Sequence, residues 1–358
     1  MRVLYLAESL DPASGWGRFS REIIVRAIKT GIDATILVER ASGFSGELPV
    51  LRRSWHMLLT LWALRARIRE GKFDIVHSME VNPYGIAVYL ATLGMRTKHV
   101  ITATGAYSVR PLYQPTTAWV TKATYRSARA VLCISTYVEE EILKAAALTT
   151  TKTVTLGVDA SVFSGERTVP KEPFILSVGN FAYRKGYHIS VAAFAEIAKS
   201  FPTLRYLIAG RVDTYVKGMC DAIIKEHALE GRVVFLGPQS DAELKKLYLS
   251  AELFVLTAVN EDYHFEGFGL VFLEAAAAGL PVIGTTGNGI RDALSEGENG
   301  FLVPQHDIVA TAKAMKNILS DLALKERLSR GSLEWAGTNS WNRTVRRYLE
   351  TYQDVYGG

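Results

Sequence analysis

The chain has little of what staples small or exported proteins together. Its 358 residues include two cysteines, Cys133 and Cys220, far apart and without Cys-x-x-Cys or Cys/His ligand spacing. Neither a disulfide framework nor a zinc site is expected, and both read as small buried hydrophobes. Proline is sparse at 11 residues, and 48% hydrophobic against 22% charged residues is globular composition, neither disordered nor fibrous. No uncharged run reaches the roughly 20 residues a spanning helix needs; the stretch Val81–Met95 is broken by Asn82, Pro83 and two glycines. Strong charge bias is missing too. The 41 Lys and Arg against 36 Asp and Glu leave +5 without a basic arm, so nucleic acid is not an expected partner. Met1-Arg2 is followed only by Val3–Ala7 before Glu8, too short an apolar run for an export signal. A cytoplasmic location, with any membrane contact peripheral, is the expectation.

What is present is a rhythm. Short β-branched runs at Val3–Ala7, Ala34–Val38, Ile75–His77, His99–Thr102 and Ala130–Ile134 are separated by helix-length segments. The pattern repeats at Phe174–Val178, Arg205–Ala209, Val233–Leu236, Leu253–Leu256 and Pro281–Gly284. Alternation of this kind specifies parallel α/β sheets, and the length at roughly 150 residues per domain gives two of them. The polar stretch Phe163–Pro173, with two prolines and one glycine, reads as the linker. We therefore expect domains at residues 1–165 and 166–340. The segment Trp341–Tyr356 carries Trp341, Val345, Tyr348, Leu349, Tyr352 and Val355 near helical spacing, which predicts a closing amphipathic helix that needs a surface to cover. Ligands of open parallel sheets bind beyond the carboxyl ends of the strands, so two such domains face a cleft and the chemistry belongs just after strands.

The densest string is Glu266-Gly267-Phe268-Gly269-Leu270-Val271-Phe272-Leu273-Glu274, followed by four alanines and Gly279-Leu280-Pro281. Gly267 and Gly269 let backbone approach a ligand, and a helix from Leu270 would present its positive end to a diphosphate. Glu274, about one turn in, can take the vicinal hydroxyls of a ribose. Glu266, at the mouth, can reach the hydroxyls of a transferred sugar. The glycines alone fit a capped helix with solvated glutamates better than a ligand site; the complete string reverses that preference. It resembles the signature of the retaining glycosyltransferases of glycosyltransferase family 4, whose GT-B fold sets two Rossmann-like, doubly wound domains across a cleft, with a C-terminal helix crossing back to the first.

Further strings carry the resemblance over Pro173–Tyr356. Gly179-Asn180-Phe181-Ala182-Tyr183-Arg184-Lys185-Gly186 after Phe174–Val178 is similar to the family's glycine-plus-basic loop, which implies that Arg184 and Lys185 neutralise the departing diphosphate. Many members have Arg where this chain has Asn180. Phe235-Leu236-Gly237-Pro238 with Ser240–Leu244 and Tyr248 resembles the base-binding loop and its helix, and Thr286–Ile290 the glycine turn near the donor. In the first domain Gly15-Trp16-Gly17-Arg18 resembles the loop that meets the diphosphate from the other side, though an ordinary turn fits it equally. Asp74–His77 matches a usual strand, with His77 either a core or a cleft residue. Members usually end a strand in Thr-x-His near the sugar; here it is Thr102-Ala103-Thr104, which places Thr104 at a tentative sugar contact. His264, in the insertion Val259–Phe265, is a candidate replacement.

The resemblance implies a retaining hexosyltransferase that uses a UDP- or GDP-sugar and an acceptor hydroxyl of a glycan, glycolipid or small molecule. The sequence has no Asp-x-Asp, so we expect no metal or other cofactor, with Glu266, Arg184 and Lys185 catalytic. Gly15, Gly17, Gly179, Asn180, Leu236, Gly267, Phe268, Gly269, Leu270 and Glu274 are the expected donor-binding residues. A non-catalytic sugar-nucleotide-binding subunit of a glycan-assembly complex is the alternative. Finally, Arg52, Arg53, Trp55, Trp62, Arg65, Arg67 and Arg69 interleave bases and aromatics on one predicted helix. That helix either packs on the first sheet with its arginines in water or lies on anionic lipid.

Overall fold

The computed structural model describes residues 1–51, 57–168 and 170–358. Their contacts divide the chain into two compact units, Met1–Leu156 with Trp341–Gly358, and Gly157–Ser340.

The first unit is a parallel sheet of β1 (Arg2–Ala7), β2 (Asp33–Val38), β3 (Glu47–Leu48), β4 (Ile75–Ser78), β5 (His99–Ala103), β6 (Ala130–Cys133) and β7 (Thr151–Thr153), ordered β3-β2-β1-β4-β5-β6-β7. Strand β1 is covered on both faces, and Val3 to Ala7 are fully buried. That is why its sequence is a continuous apolar run rather than an alternation. The helix Met57–Gly71 buries Leu64 and Ile68 against Leu4, Leu37 and Val76, which is the packed reading of the basic–aromatic segment. Trp62, however, is 74% exposed, and Arg65 Nη1 donates to the Ala91 and Leu93 carbonyls at 2.8 and 2.9 Å. Arg52, Arg53 and Trp55, and the side chains of Leu58 and Leu59, lie outside the described residues. Among the described residues no helix is long and apolar enough to cross a membrane.

The closing helix, Trp341–Gly357, buries Trp341, Val345, Tyr348, Tyr352 and Val355 on the first unit. The contact is polar at its centre: His77 Nδ1 meets the Tyr352 hydroxyl at 2.5 Å, His77 Nε2 meets Thr102 Oγ1 at 2.8 Å, and Thr102 Oγ1 lies 3.2 Å from the Tyr348 hydroxyl. His77 is thus a satisfied core residue.

The second unit is a parallel sheet of β8 (Phe174–Val178), β9 (Arg205–Ala209), β10 (Val233–Gly237), β11 (Leu253–Val255), β12 (Val282–Thr285) and β13 (Gly300–Val303), ordered β10-β9-β8-β11-β12-β13. The order reverses between β8 and β11, the switch point where the connections diverge and leave a crevice. The expected division after residue 165 moves to Leu156–Gly157. Residues 157–165 belong to the second unit because Val158 N–H donates to the Asn339 carbonyl at 2.9 Å and Phe163 packs edge-on against Tyr248, centroids 5.5 Å apart. Arg167 then donates to the Ala251 and Gly279 carbonyls, so the polar stretch read as a linker is fastened to the second unit. Both cysteines are buried and unpaired with each other.

Candidate active site

Two loops leave the switch point of the second sheet, one after β8 and one after β11. The first passes Gly179 and Asn180, whose Oδ1 accepts the Arg211 N–H at 3.3 Å, and makes a single tight turn at Tyr183–Lys185. Gly186 ends that turn in the left-handed region at φ 67°, and a Cβ there would fall 1.8 Å from the Thr257 carbonyl oxygen. Only glycine fits. Beside it, Thr257 Oγ1 donates to the Gly186 carbonyl at 2.7 Å and Val259 N–H to the Arg184 carbonyl at 2.8 Å. The backbone carrying Arg184 and Lys185 is therefore fastened to the end of β11.

The second loop includes a reciprocal Glu261–His264 backbone pair at 2.8 Å and reaches Glu266. Its backbone is held as firmly. Glu266 C=O accepts the Gly289 N–H at 2.9 Å, and a Cβ on Gly289 would sit 2.0 Å from the Gly267 carbonyl oxygen. Phe268 is buried, and Gly269, at φ 88°, opens the helix Leu270–Ala277. Ala275, Ala276 and Ala277 are buried on that helix, which explains a run of small side chains at this position.

Between the loops lies an ion triad. Glu266 Oε2 accepts from Arg184 Nη1 at 3.0 Å and from Lys185 Nζ at 2.5 Å; the Glu266 and Lys185 side chains are each 12% exposed, and that of Arg184 33%. Burial by itself pushes the Glu266 carboxyl up, but the Lys185 and Arg184 charges outweigh it and hold it down at about 2. Lys185 is pulled the other way: burial lowers its pKa and the Arg184 charge adds to this, with Glu266 opposing both. The carboxylate is what keeps a cation tenable there.

Glu274 accepts a 3.0 Å hydrogen bond at Oε2 from the hydroxyl of Tyr248, which is fully buried. Leu236, at the end of β10, offers its carbonyl to Gln239 Nε2 at 2.9 Å. The structure thus brings Arg184, Lys185 and Glu266 into direct contact, and sets Gly267, Phe268, Gly269, Leu270 and Glu274 on the same loop and helix. Gly15, Gly17 and Thr104 belong to the first unit. There Gly15 and Gly17 open the helix Gly15–Lys29, whose Ser14 cap accepts the Gly17 N–H at 3.0 Å. The backbone of Asp11 presses on Gly17, while nothing crowds Gly15. Thr104 is 2% exposed; its N–H donates to Ser108 Oγ at 2.8 Å, and its Oγ1 has no partner among the described residues. Sequence reasoning missed the Tyr248–Glu274 bond and the Gly289–Glu266 bond. The signal for the second was the glycine turn itself, which has to be glycine because another backbone lies against it.

The family model described as Glycosyltransferase Family 4 matches residues 13–162, and that described as Glycosyl transferases group 1 matches residues 162–335. A D-inositol 3-phosphate glycosyltransferase of Salinispora tropica is 39% identical over 124 residues, 35% of this chain and 25% of that protein. The matches span 25% to 42% of the length of the first curated relatives. Among solved structures, a sucrose-phosphate synthase from Thermosynechococcus elongatus superposes with a TM-score of 0.82 at 21% identity, covering 100% of this chain and 99% of that one. Anabaena HepE in complex with UDP-glucose gives 0.82 at 18% identity, covering 99% and 100%; both are likenesses of fold. With two Rossmann-like parallel sheets and two adjoining family matches that together run over residues 13–335, the chain belongs to the GT-B glycosyltransferases of group 1 and family 4.

Proposed function

We propose that the chain is a retaining, metal-independent hexosyltransferase that moves a sugar from a UDP- or GDP-hexose to an acceptor hydroxyl. The observation that carries this reading is the convergence of Arg184, Lys185 and Glu266 at the switch point of the second sheet. Breaking a glycosidic bond to a nucleoside diphosphate develops negative charge on the leaving phosphate. Two fixed cations in a poorly hydrated site stabilise that charge without reorganising at the moment of reaction, which is the role a divalent ion plays elsewhere. Glu274, oriented by Tyr248, takes the ribose hydroxyls. Glu266 takes hydroxyls of the transferred hexose, and the departing phosphate accepts the acceptor's proton, which keeps the reaction on the leaving-group face and so retains configuration. Leu236 and the backbone of Gly179, Asn180 and Gly267 to Leu270 complete the donor contacts. The first unit selects the acceptor, while its Gly15 and Gly17 are assigned to donor binding and its Thr104 to a sugar contact. HepE, solved with UDP-glucose, supports a nucleotide-sugar donor, and the D-inositol 3-phosphate glycosyltransferase relatives support glycosyl transfer.

The test is incubation of the purified chain with UDP- and GDP-hexoses in excess EDTA, with and without sugar and polyol acceptors, followed by NMR of the anomeric carbon. Transfer or slow donor hydrolysis that survives EDTA and keeps the donor's anomeric configuration is expected. Activity restored only by Mg²⁺, or an inverted product, contradicts the proposal. Donor binding with neither hydrolysis nor transfer under any condition identifies the non-catalytic sugar-nucleotide-binding subunit instead.

A further inference from the structure

In the second unit the two cations assigned to the leaving group already hold an anion. One oxygen of Glu266, Oε2, accepts from both Arg184 and Lys185. The backbones on either side are fastened, by Thr257 and Val259 to the Arg184–Gly186 turn and by Gly289 to Glu266, so only side-chain rotamers are left to change. A diphosphate set against Arg184 and Lys185 while Glu266 stays on both would crowd like charges in a site where water screens them poorly. Lys, with three rotatable donors on a flexible stem, is suited to swapping partners.

We propose that Glu266 is the internal counter-anion of this cation pair: it holds Arg184 and Lys185 until a nucleoside diphosphate arrives, yields them to the diphosphate, and is thereby released toward the sugar. The inference rests on the reading that these two cations receive the diphosphate, and it adds a competition. Before binding, the carboxylate sustains the charge on Lys185 against burial. After transfer, it competes with the spent nucleoside diphosphate for the same two cations and hastens its departure. Glu266 therefore weakens the binding of diphosphate while promoting turnover, two effects of opposite sign from one side chain.

The experiment compares wild type, Glu266→Gln and the double Arg184→Ala/Lys185→Ala variant by calorimetric titration with inorganic pyrophosphate and with UDP at pH 6 and low salt. Pyrophosphate lacks base, ribose and sugar, so it reports on the cation pair alone. Glu266→Gln should bind both probes roughly three- to tenfold tighter than wild type, the scale of one partly exposed charge pair that no longer has to be broken, and it should turn over sugar donors more slowly. Binding of pyrophosphate equal to or weaker than wild type overturns the exchange. If the double variant binds pyrophosphate as wild type does, or no protein binds it, the underlying reading of the cations fails, whatever Glu266→Gln does. Circular dichroism checks the fold of each variant. Should Glu266→Gln not fold, Glu266→Asp, too short to reach both cations, should move affinity in the same direction, and a weaker Asp variant overturns the proposal equally.

Discussion

Glu274 sits on a helix that buries Phe272, Leu273 and Ala275 to Ala277, and its Oε2 is held by a hydroxyl that has no access to water. A buried Tyr–carboxylate bond of this kind fixes the rotamer of the acid and so the place where a ligand hydroxyl must be. Replacing Glu274 with Ala should weaken nucleoside diphosphate binding by roughly 1–3 kcal/mol, the scale of lost charged hydrogen bonds. Tyr248→Phe should move it in the same direction by less. Titration with UDP measures both, and titration with pyrophosphate, which has no ribose, should be unchanged; equal losses for the two probes would mean that the substitutions disturb the unit rather than the ribose contact. The two glutamates were legible in the sequence because spacing along a loop and helix is local information. Tyr248 was legible only as part of a helix, since nothing local says which of its faces meets a helix 26 residues on. The Glu266 ion triad likewise joins residues about 80 positions apart, so the sequence could supply its members but not their pairing.

At the scale of elements, the terminal helix is fixed to the first sheet by a polar cluster set inside an apolar contact. His77 is surrounded by Tyr5, Tyr348, Tyr352 and Thr102, with ring centroids of 5.6 to 5.8 Å to the three tyrosines, and His99 meets Ser78 Oγ at 2.9 Å. Burial lowers both imidazoles to about 3, His99 adding to the effect at His77. Native chains therefore keep these rings neutral while unfolded chains protonate them near 6.5, so stability is present above that value and is lost as pH falls from about 6.5 toward 3. At pH 5 each ring should cost on the order of 2 kcal/mol. Denaturant unfolding between pH 7 and pH 5 should show the decline, and His77→Gln should flatten it; an unchanged slope would show that the ring is not the group being titrated. Glu266, depressed to about 2, stabilises the fold fully above about 4.5 and loses that contribution only as pH falls from there toward 2, below the pH 7 to 5 range of this measurement. Elements with long, doubly buried apolar runs, such as β1 and β8, were legible because burial on both faces leaves its mark on every residue. The edge strands Glu47–Leu48 and Thr151–Thr153 were not, because two or three residues, all but Leu48 polar and none fully buried, carry no pattern.

The whole molecule carries a surplus of +5 and is built as two units, the first of which takes in two separate stretches of chain. The described part of the basic–aromatic segment shows how that surplus is presented. Leu64 and Ile68 are committed to the core and Arg65 to two carbonyls, which removes them from any lipid contact. Trp62, Arg67 and Arg69 remain exposed. Two cations at about 1 kcal/mol each, plus one interfacial indole, amount to weak adsorption on an anionic bilayer, screened away within a Debye length of about 8 Å at physiological salt. Such adsorption would raise the local concentration of a lipid-linked acceptor without any change at Glu266 or Glu274. We expect partial co-sedimentation with vesicles containing phosphatidylserine at low salt, none with neutral vesicles, and release at 150 mM salt. Trp62→Ser and Arg67→Glu should each abolish it. If the chain stays in the supernatant with anionic vesicles even at low salt, Trp62 is an isolated surface aromatic and a soluble acceptor is the better assignment for the first unit.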